Sequence, residues 1–198
     1  MKKRAFTLLA ASAGLLLAGC LVTSVCPYYT TKDLVFEPAL VGDWLEVDDN
    51  SNNTWKFQKS EPQAYRLILV ESQKATVMNV HAFKLQDQLF LDLASIDTDV
   101  RVIPPHYLLQ VVGFTPTLKL AQLDNDWLKS YLAKHPHPVA HHLVQSSDNP
   151  DDLRVVLTAS TSDLQKFVLE HLKTKDAWTS AVELKREAVS SAQQQAGK

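Results

Sequence analysis

Three consecutive stretches decide the fold class: "AYRLILVE" (residues 64–71), "ATVMNVHAFKL" (residues 75–85) and "QLFLDLAS" (residues 88–95). Each is rich in leucine, β-branched and aromatic residues, which is typical of β-strands. Only residues 72–74 and 86–87 lie between them. Connections this short join antiparallel strands, whereas parallel strands need a crossover of about a dozen residues or more. The stretches therefore predict an antiparallel β-meander.

The same pattern continues on both sides of these stretches. The alternation of apolar and polar residues is imperfect, because Leu89, Leu91 and Leu93 share one face while Phe90 interrupts the polar face opposite. Strands with apolar residues on both faces belong to a sandwich or to a barrel covered by helices. We predict a mainly β (β+α) fold, a barrel-like antiparallel meander with two packed helices. The other predicted strands are "VGDWLEV" (41–47), "TWKFQK" (54–59), "HYLLQVVGF" (106–114), "TLKLAQL" (117–123) and "LRVVLTAS" (153–160).

Two segments have the residue spacing of an amphipathic helix. The first covers residues 126–134, where Asp124 or Asn125 can act as the N-cap. The second covers residues 163–173, and Ser162 followed three residues later by a glutamine predicts a capping box. Each has one apolar face, so both helices are expected to pack against the sheet.

The N-terminus has the pattern of a secretory signal. Lys2, Lys3 and Arg4 precede a largely apolar run that ends at Gly19. As a helix, residues 5–19 would reach only about 22 Å at ~1.5 Å per residue, which is short of the ~30 Å of a bilayer core. Residues 1–19 are therefore predicted to direct export and to be removed.

The signal ends in Leu17-Ala18-Gly19-Cys20. This tetrapeptide resembles the lipobox of bacterial lipoproteins. The resemblance implies that a diacylglyceryl group is joined to the Cys20 thiol before cleavage and that the freed amine is acylated too. Two or more acyl chains anchor a protein stably, whereas one binds only marginally. The sorting pattern of such proteins favours the outer membrane when Leu21, rather than aspartate, follows the cysteine. A plain signal peptide with a chance cysteine at its exit is the alternative.

The chain after the leader is predicted to have three parts. Residues 20–39 would form the lipidated N-terminus and a tether, residues 40–179 a single β-rich domain, and residues 180–198 a polar, partly disordered tail. Cys26 falls in the tether and could be a free thiol, an intermolecular disulfide or a residue without a special role. Losing the three basic residues of the leader changes the formal net charge from −2 to −5. Such an acidic domain has no general attraction to nucleic acid.

Gly42-Asp43-Trp44 stands near the start of the first predicted strand. A GxW at this place resembles the opening of lipocalins and related calycin barrels. The resemblance implies a calycin-like barrel, in which the tryptophan packs across the barrel base and the glycine lets the chain enter it. Trp44 is expected to be a core aromatic rather than the wall of a ligand pocket. The helix predicted at residues 126–134 departs from the simple calycin pattern.

Glycine-dependent motifs are missing from the predicted domain. It contains only Gly42 and Gly113, so a Walker loop, a GxGxxG fingerprint and a GxSxG nucleophile elbow are excluded. No cofactor is indicated. Paired aspartates such as Asp48 and Asp49 coincide with predicted turns, where aspartate is favoured for local reasons. No spacing singles out a catalytic acid pair or triad.

Four histidines lie close together in "HPHPVAHH": His135, His137, His141 and His142. Imidazole is a good ligand for zinc or copper, so this group is a candidate metal site. Its prolines prevent a regular helix, however, and no HExxH or CxxC accompanies it. A solvated loop leading into a strand is the competing interpretation. His81 and His106 lie in strand sequence and are expected to be packed or hydrogen-bonded rather than catalytic.

Together these features favour a binding or structural role over an enzymatic one. The expected function is that of a membrane-anchored lipoprotein of the bacterial cell envelope that binds an apolar small molecule or an envelope component. The expected location is the outer membrane, facing the periplasm, reached through lipid on Cys20. The alternatives are a protein-interaction or structural envelope lipoprotein, and a metal-dependent envelope hydrolase that uses the histidine group.

Overall fold

The computed structural model describes residues 21–47, 52–96, 103–135, 137–145 and 153–187. The predicted signal at residues 1–19, the lipobox cysteine Cys20 and residues 188–198 lie outside the described residues. Within the described ranges, no helix is both long enough and apolar enough to cross a membrane.

Strands dominate the described chain. Every predicted strand is present, both predicted helices form, and three short strands are added to them. A single 3-10 turn, Pro38–Leu40, precedes the second strand. The strands are β1 (Thr23–Ser24), β2 (Gly42–Glu46), β3 (Thr54–Glu61), β4 (Ala64–Glu71), β5 (Lys74–Leu85), β6 (Gln88–Ser95), β7 (His106–Gly113), β8 (Leu118–Gln122), β9 (His141–Gln145), β10 (Leu153–Leu157) and β11 (Val182–Arg186), and the helices are α1 (Asn125–Lys134) and α2 (Thr161–His171).

Eight of the strands close into an antiparallel barrel. Their order is β6-β5-β4-β3-β2-β11-β8-β7, and pairing between β6 and β7 completes the ring. One side of β7 is shared, since β1 pairs with its first half and β8 with its second. From β1 the sheet continues through β10 to β9, the last strand in the order. The predicted fold class, a calycin-like barrel with two helices, is confirmed.

Large apolar side chains fill the inside of the barrel. Alternate residues of each strand point inward, and an eight-stranded barrel is narrow enough for side chains alone to fill it. Trp55, Phe57 and Tyr65 are each at most 1% exposed. The other barrel strands contribute Trp44, Leu67, Leu69, Met78, Val80, Ala82, Leu89, Leu91, Leu93, Leu109, Val111, Leu118, Leu120 and Leu184 to the same buried cluster.

The outer face of β5, β6 and β7 is apolar as well. Phe83 and Phe90 are directly opposite each other across β5 and β6, with ring centroids 5.6 Å apart, and both are fully buried. Side chains of α1, α2 and β10 pack over them and form a second core. This second core explains the imperfect alternation in the sequence. Of the two architectures that the alternation allowed, the barrel covered by helices is the one observed.

Both helices begin at side-chain caps. Asp124 caps α1, as predicted, by accepting a hydrogen bond from the backbone N–H of Trp127 at 2.7 Å. The second helix begins before the predicted start. Its N-cap is Ser160, which accepts from the backbone N–H of Asp163 at 3.3 Å. The capping box predicted at Ser162 is therefore wrong.

The described part of the segment predicted as a tether, residues 21–39, packs against the barrel. Val22 and Tyr28 are 5% and 1% exposed and belong to the second core. Further along, the Val35 backbone N–H donates to the carbonyl of Ala82 at 2.9 Å. The tether prediction followed local threonine, tyrosine and proline content, but these residues find their partners on distant strands. The folded domain therefore includes residues before the predicted boundary at Leu40.

The last barrel strand, β11, lies where the sequence predicts a polar tail from residue 180. Its backbone pairs with β2 on one side and with β8 on the other. Leu184 is fully buried, while the other side chains of the strand are at least partly exposed. A single buried side chain gives little hydrophobic pattern, so "VELKR" looks polar although it closes the barrel. The predicted end of the domain at residue 179 differs from the structure for this reason.

The barrel base, the end at which β2 begins, is held by Gly42, Trp44 and Arg186. The Arg186 guanidinium lies over the Trp44 ring, 4.4 Å from the ring centroid. It also donates to the carbonyls of Val41 and Ala39 at 2.8 and 2.6 Å. Gly42 has a φ of 139°, and a Cβ at this position would collide with the guanidinium. Trp44, which is 4% exposed, is the core aromatic that the sequence predicts.

We expect Gly42→Ala to lower the free energy of unfolding by about 1–3 kcal/mol, because the new side chain is strained at this φ and displaces Arg186. Chemical denaturation measures the change. Gly113→Ala is the matched control, since a Cβ there would meet nothing within 4 Å, and it should shift the free energy by less than about 1 kcal/mol. Equal losses in the two variants would contradict this account of the base.

Candidate functional site

The four histidines of the candidate metal site have different surroundings in the structure. His135 follows α1 and stacks on Tyr131 with ring centroids 4.3 Å apart. His137 is exposed in a left-handed turn with a φ of 61°. His141 and His142 begin β9, where the Nδ1 of His141 donates to a backbone carbonyl at 2.8 Å. Over the described ranges, no group of three or more His, Cys, Asp or Glu side chains is arranged to hold a metal ion.

A polar groove of about 260 Å³ lies between the loop of residues 137–140 and α2. Asp163, Lys166 and Glu170 line the helix side, and His137 and Ala140 line the loop side. Charges of both signs alternate along the helix, and the Lys166 ammonium lies 3.9 Å from the Glu170 carboxylate. Two carboxylates and one ammonium leave the groove a single excess negative charge, which is too little to select a ligand by electrostatics alone.

Asp92 is only 1% exposed, although it lies in the apolar strand β6. Its Oδ1 accepts from the Nδ1 of His106 at 2.7 Å, and its Oδ2 accepts from the backbone N–H of Tyr28 at 2.9 Å. Because the carboxylate oxygen is the acceptor in this contact, the Nδ1 of His106 is assigned as the donor. Such partners make a buried carboxylate tolerable. Asp92 thereby joins β6, β7 and the N-terminal segment.

Neutral side chains surround this carboxylate. The Tyr29 hydroxyl lies 3.0 Å from the Nδ1 of His81, and their rings stack with centroids 4.7 Å apart. Burial, and to a smaller extent Asp92, raises the pKa of Tyr29 to about 12 and that of Tyr28 further still. Burial lowers the pKa of His81. All three side chains are therefore uncharged at pH 7.

Ser24 gives this cluster the composition of a catalytic triad but not the access that catalysis needs. It is the direct cross-strand neighbour of His106 on β1 and β7, so a serine, a histidine and an aspartate lie next to one another. Ser24 is only 1% exposed, however, and its Oγ accepts from the backbone N–H of Cys26 at 3.2 Å. A substrate cannot reach this hydroxyl in the folded protein. The cluster is a structural junction that fastens the N-terminal segment to the barrel.

The sequence prediction for His81 and His106, packed and hydrogen-bonded histidines, agrees with these contacts. Asp92, the centre of the junction, is missing from that prediction. The signal that points to it is an aspartate between leucines in "FLDL" (residues 90–93). A carboxylate in the middle of an apolar strand needs partners, although the sequence does not say which residues supply them.

Asp92→Ala should lower the free energy of unfolding by about 2–4 kcal/mol, since it leaves the N–H groups of Tyr28 and His106 without their acceptor. Hydrogen exchange should also accelerate over residues 22–30, which the junction holds in place. Asp87→Ala, at an exposed turn of the same β-hairpin, should change neither quantity measurably. Unaltered exchange over residues 22–30 in Asp92→Ala would refute the junction.

The second candidate site is the barrel mouth, the end at which β2 ends and β7 begins. Trp55, Leu69, Met78 and Leu93 are among the residues that line an apolar recess there, and Leu21 packs into it. The space that remains is about 20 Å³, which is room for about one water molecule. Small-molecule pockets usually measure about 300–1,000 Å³. The recess is therefore too small to hold an apolar ligand as it stands.

Two glutamates lie at the mouth. Glu46 is 7% exposed, and its carboxylate accepts from the Trp55 Nε1 at 3.1 Å and from the Asn53 Nδ2 at 3.0 Å. Glu71 is partly buried, and its Oε1 has no hydrogen-bond partner among the described residues. Burial raises the pKa of Glu71, and the negative charge of Glu46 raises it further. Two ionised carboxylates are therefore unfavourable here.

Glu71→Gln should stabilise the protein at pH 7.5. Because the pKa of Glu71 is higher in the folded protein than in the unfolded chain, the stability linked to its proton is present at low pH and is lost as pH rises through the folded pKa. The gain in melting temperature should therefore shrink towards pH 4. Glu61→Gln, at an exposed strand end, is the control. A gain from Glu71→Gln that is equal at both pH values would contradict the assignment.

Comparison of this chain with protein-family models, with curated proteins and with solved structures finds no match. The calycin-like barrel therefore rests on strand order and register. Because one fold serves many functions, the function has to come from the chemistry of the residues themselves.

Proposed function

We propose that this protein is an exported bacterial lipoprotein whose barrel carries a surface for binding another component of the cell envelope. Acyl chains on Cys20 would hold it to the membrane, with the outer membrane as the expected location. The proposal of an anchor is supported by the basic and apolar leader and by the lipobox that ends it.

The filled barrel interior is the observation that favours a surface over a pocket. The recess at the mouth has about 20 Å³ of free space, and the buried cluster occupies the rest of the described interior. An apolar small molecule would have to displace core side chains, which costs packing energy. Recognition on the outside of the barrel requires no such rearrangement.

The edge strand β9 is the surface best suited to a protein partner. Within the described chain it pairs with β10 alone. Leu143 and Val144 are 52% and 47% exposed, although both lie in a regular strand. An edge of this kind can accept an added strand, with backbone hydrogen bonds giving affinity and alternate side chains giving specificity. We infer that the partner supplies an extended segment of an envelope protein.

The anchor is tested by mass spectrometry of the N-terminal peptide from the native protein. We expect a diacylglyceryl thioether on Cys20 and loss of membrane association in Cys20→Ala. Cys26→Ala is the control, because it removes the other cysteine and should leave the protein in the membrane fraction. An unmodified Cys20 would refute the anchor.

The surface is tested by placing a photo-crosslinking amino acid at Leu143 in cells. We expect the crosslinker to form a discrete adduct with one partner protein. A synthetic peptide with the sequence of the crosslinked segment should then bind the purified protein. Leu143→Lys should weaken that binding at least about tenfold, because lysine on an edge strand opposes strand addition. Val112 is the control position, because it is similarly exposed at 54% but lies on the barrel. The photo-crosslinker at Val112 should give no adduct, and Val112→Lys should not weaken peptide binding. Adducts at both positions, or at neither, would refute the role of β9.

A further inference from the structure

The first described residue, Leu21, lies inside the barrel mouth. It contacts the main buried cluster and shares the apolar recess with Trp55, Leu69, Met78 and Tyr107. These residues come from β3, β4, β5 and β7, so Leu21 packs against several walls of the barrel at once. The segment expected to be a tether thus has no free length between its first described residue and the folded domain.

The position of Leu21 limits the distance between the folded domain and the lipid proposed on Cys20. Cys20 directly precedes Leu21 in the sequence, and consecutive residues of a chain reach at most about 3.8 Å from one Cα to the next. Acyl chains attached to the Cys20 sulfur would lie in the hydrocarbon of the membrane. The mouth must then lie at the membrane surface, because one residue cannot span a gap between the two.

The exposed apolar residues at the mouth give a second, independent indication. Val47 follows the end of β2, Ile96 follows the end of β6, and Ile103 precedes the start of β7. They are 51%, 43% and 72% exposed. The antiparallel register brings these three strand ends to the same end of the barrel as Leu21. We call Val47, Ile96 and Ile103 the apolar rim.

Among the described residues of the mouth, charge does not provide an alternative explanation for this rim. The buried Glu46 carboxylate is held by Trp55 and Asn53, and the nearby Glu71 repels anionic headgroups when it is ionised. Lys74 is the exposed cation at the start of β5. A surface of this composition binds a bilayer through apolar burial rather than through attraction to anionic lipid.

We propose that the apolar rim docks on the bilayer, so that the barrel stands with its mouth against the membrane and its base directed away. This inference rests on the proposed lipid anchor at Cys20 and adds a fixed orientation to it. The rim side chains enter the interface beside the acyl chains, and Leu21 closes the recess between them. β7 runs from the mouth towards the opposite end and measures roughly 23 Å along the strand at ~3.3 Å per residue.

The orientation can be measured on the full-length, lipidated protein in phosphatidylethanolamine–phosphatidylglycerol vesicles. In a Cys26→Ser background, Ile103→Cys and Val47→Cys place an environment-sensitive fluorophore at the rim. Val112→Cys is the matched control, because Val112 is 54% exposed and lies near the other end of β7. The acylated Cys20 sulfur is a thioether and does not react with the label.

We expect phospholipids that carry a nitroxide quencher to reduce the fluorescence at positions 103 and 47 several-fold more than at position 112. Equal quenching at the three positions, or none at any of them, would overturn the docking inference if mass spectrometry shows that Cys20 is acylated and the protein floats with the vesicles. In that case the anchor itself would stand. A protein that lacks the acyl group and does not float would refute the anchor, and the docking inference with it.

Discussion

The structure depends on the closure of an eight-stranded antiparallel ring. Closure requires β11 to pair with β2 and β8 at once, and it fixes the diameter of the barrel and so the volume of its interior. Four large aromatic side chains and many leucines occupy that volume. The size of these side chains, rather than the number of strands alone, leaves only about 20 Å³ of free space in the recess at the mouth.

Closure of the ring also leaves an apolar outer face that the rest of the chain covers. The wall formed by β5, β6 and β7 has apolar side chains on both faces, so its outer face needs a cover. The N-terminal segment, α1, α2 and β10 provide it. Asp92 is a buried carboxylate within this wall. Its hydrogen bond from the Tyr28 N–H connects the cover to the barrel, and its hydrogen bond from His106 connects β6 to β7. The cover and the ring thus stabilise each other through the second core, through backbone hydrogen bonds and through this buried carboxylate.

The two proposed surfaces, one for docking on the membrane and one for binding a protein, lie on different parts of the molecule. The mouth is a strand-end surface beside the N-terminus, whereas β9 is the edge of a sheet that extends sideways from β7 through β1 and β10. A protein held at the membrane by its mouth would keep that edge accessible to a partner. Physical separation allows anchoring and recognition without competition for the same residues.

The sequence alone predicted eight of the eleven described strands, the two helices and the barrel class, because hydrophobic spacing and short turns are local properties. It also indicated that His81 and His106 are packed. It could not determine which strand closes the ring, since β11 buries only Leu184 and resembles a polar tail. Nor could it show that residues 21–39 belong to the domain or that Asp92 meets Tyr28, 64 residues away. Those contacts join residues distant in sequence, so only the tertiary structure decides them.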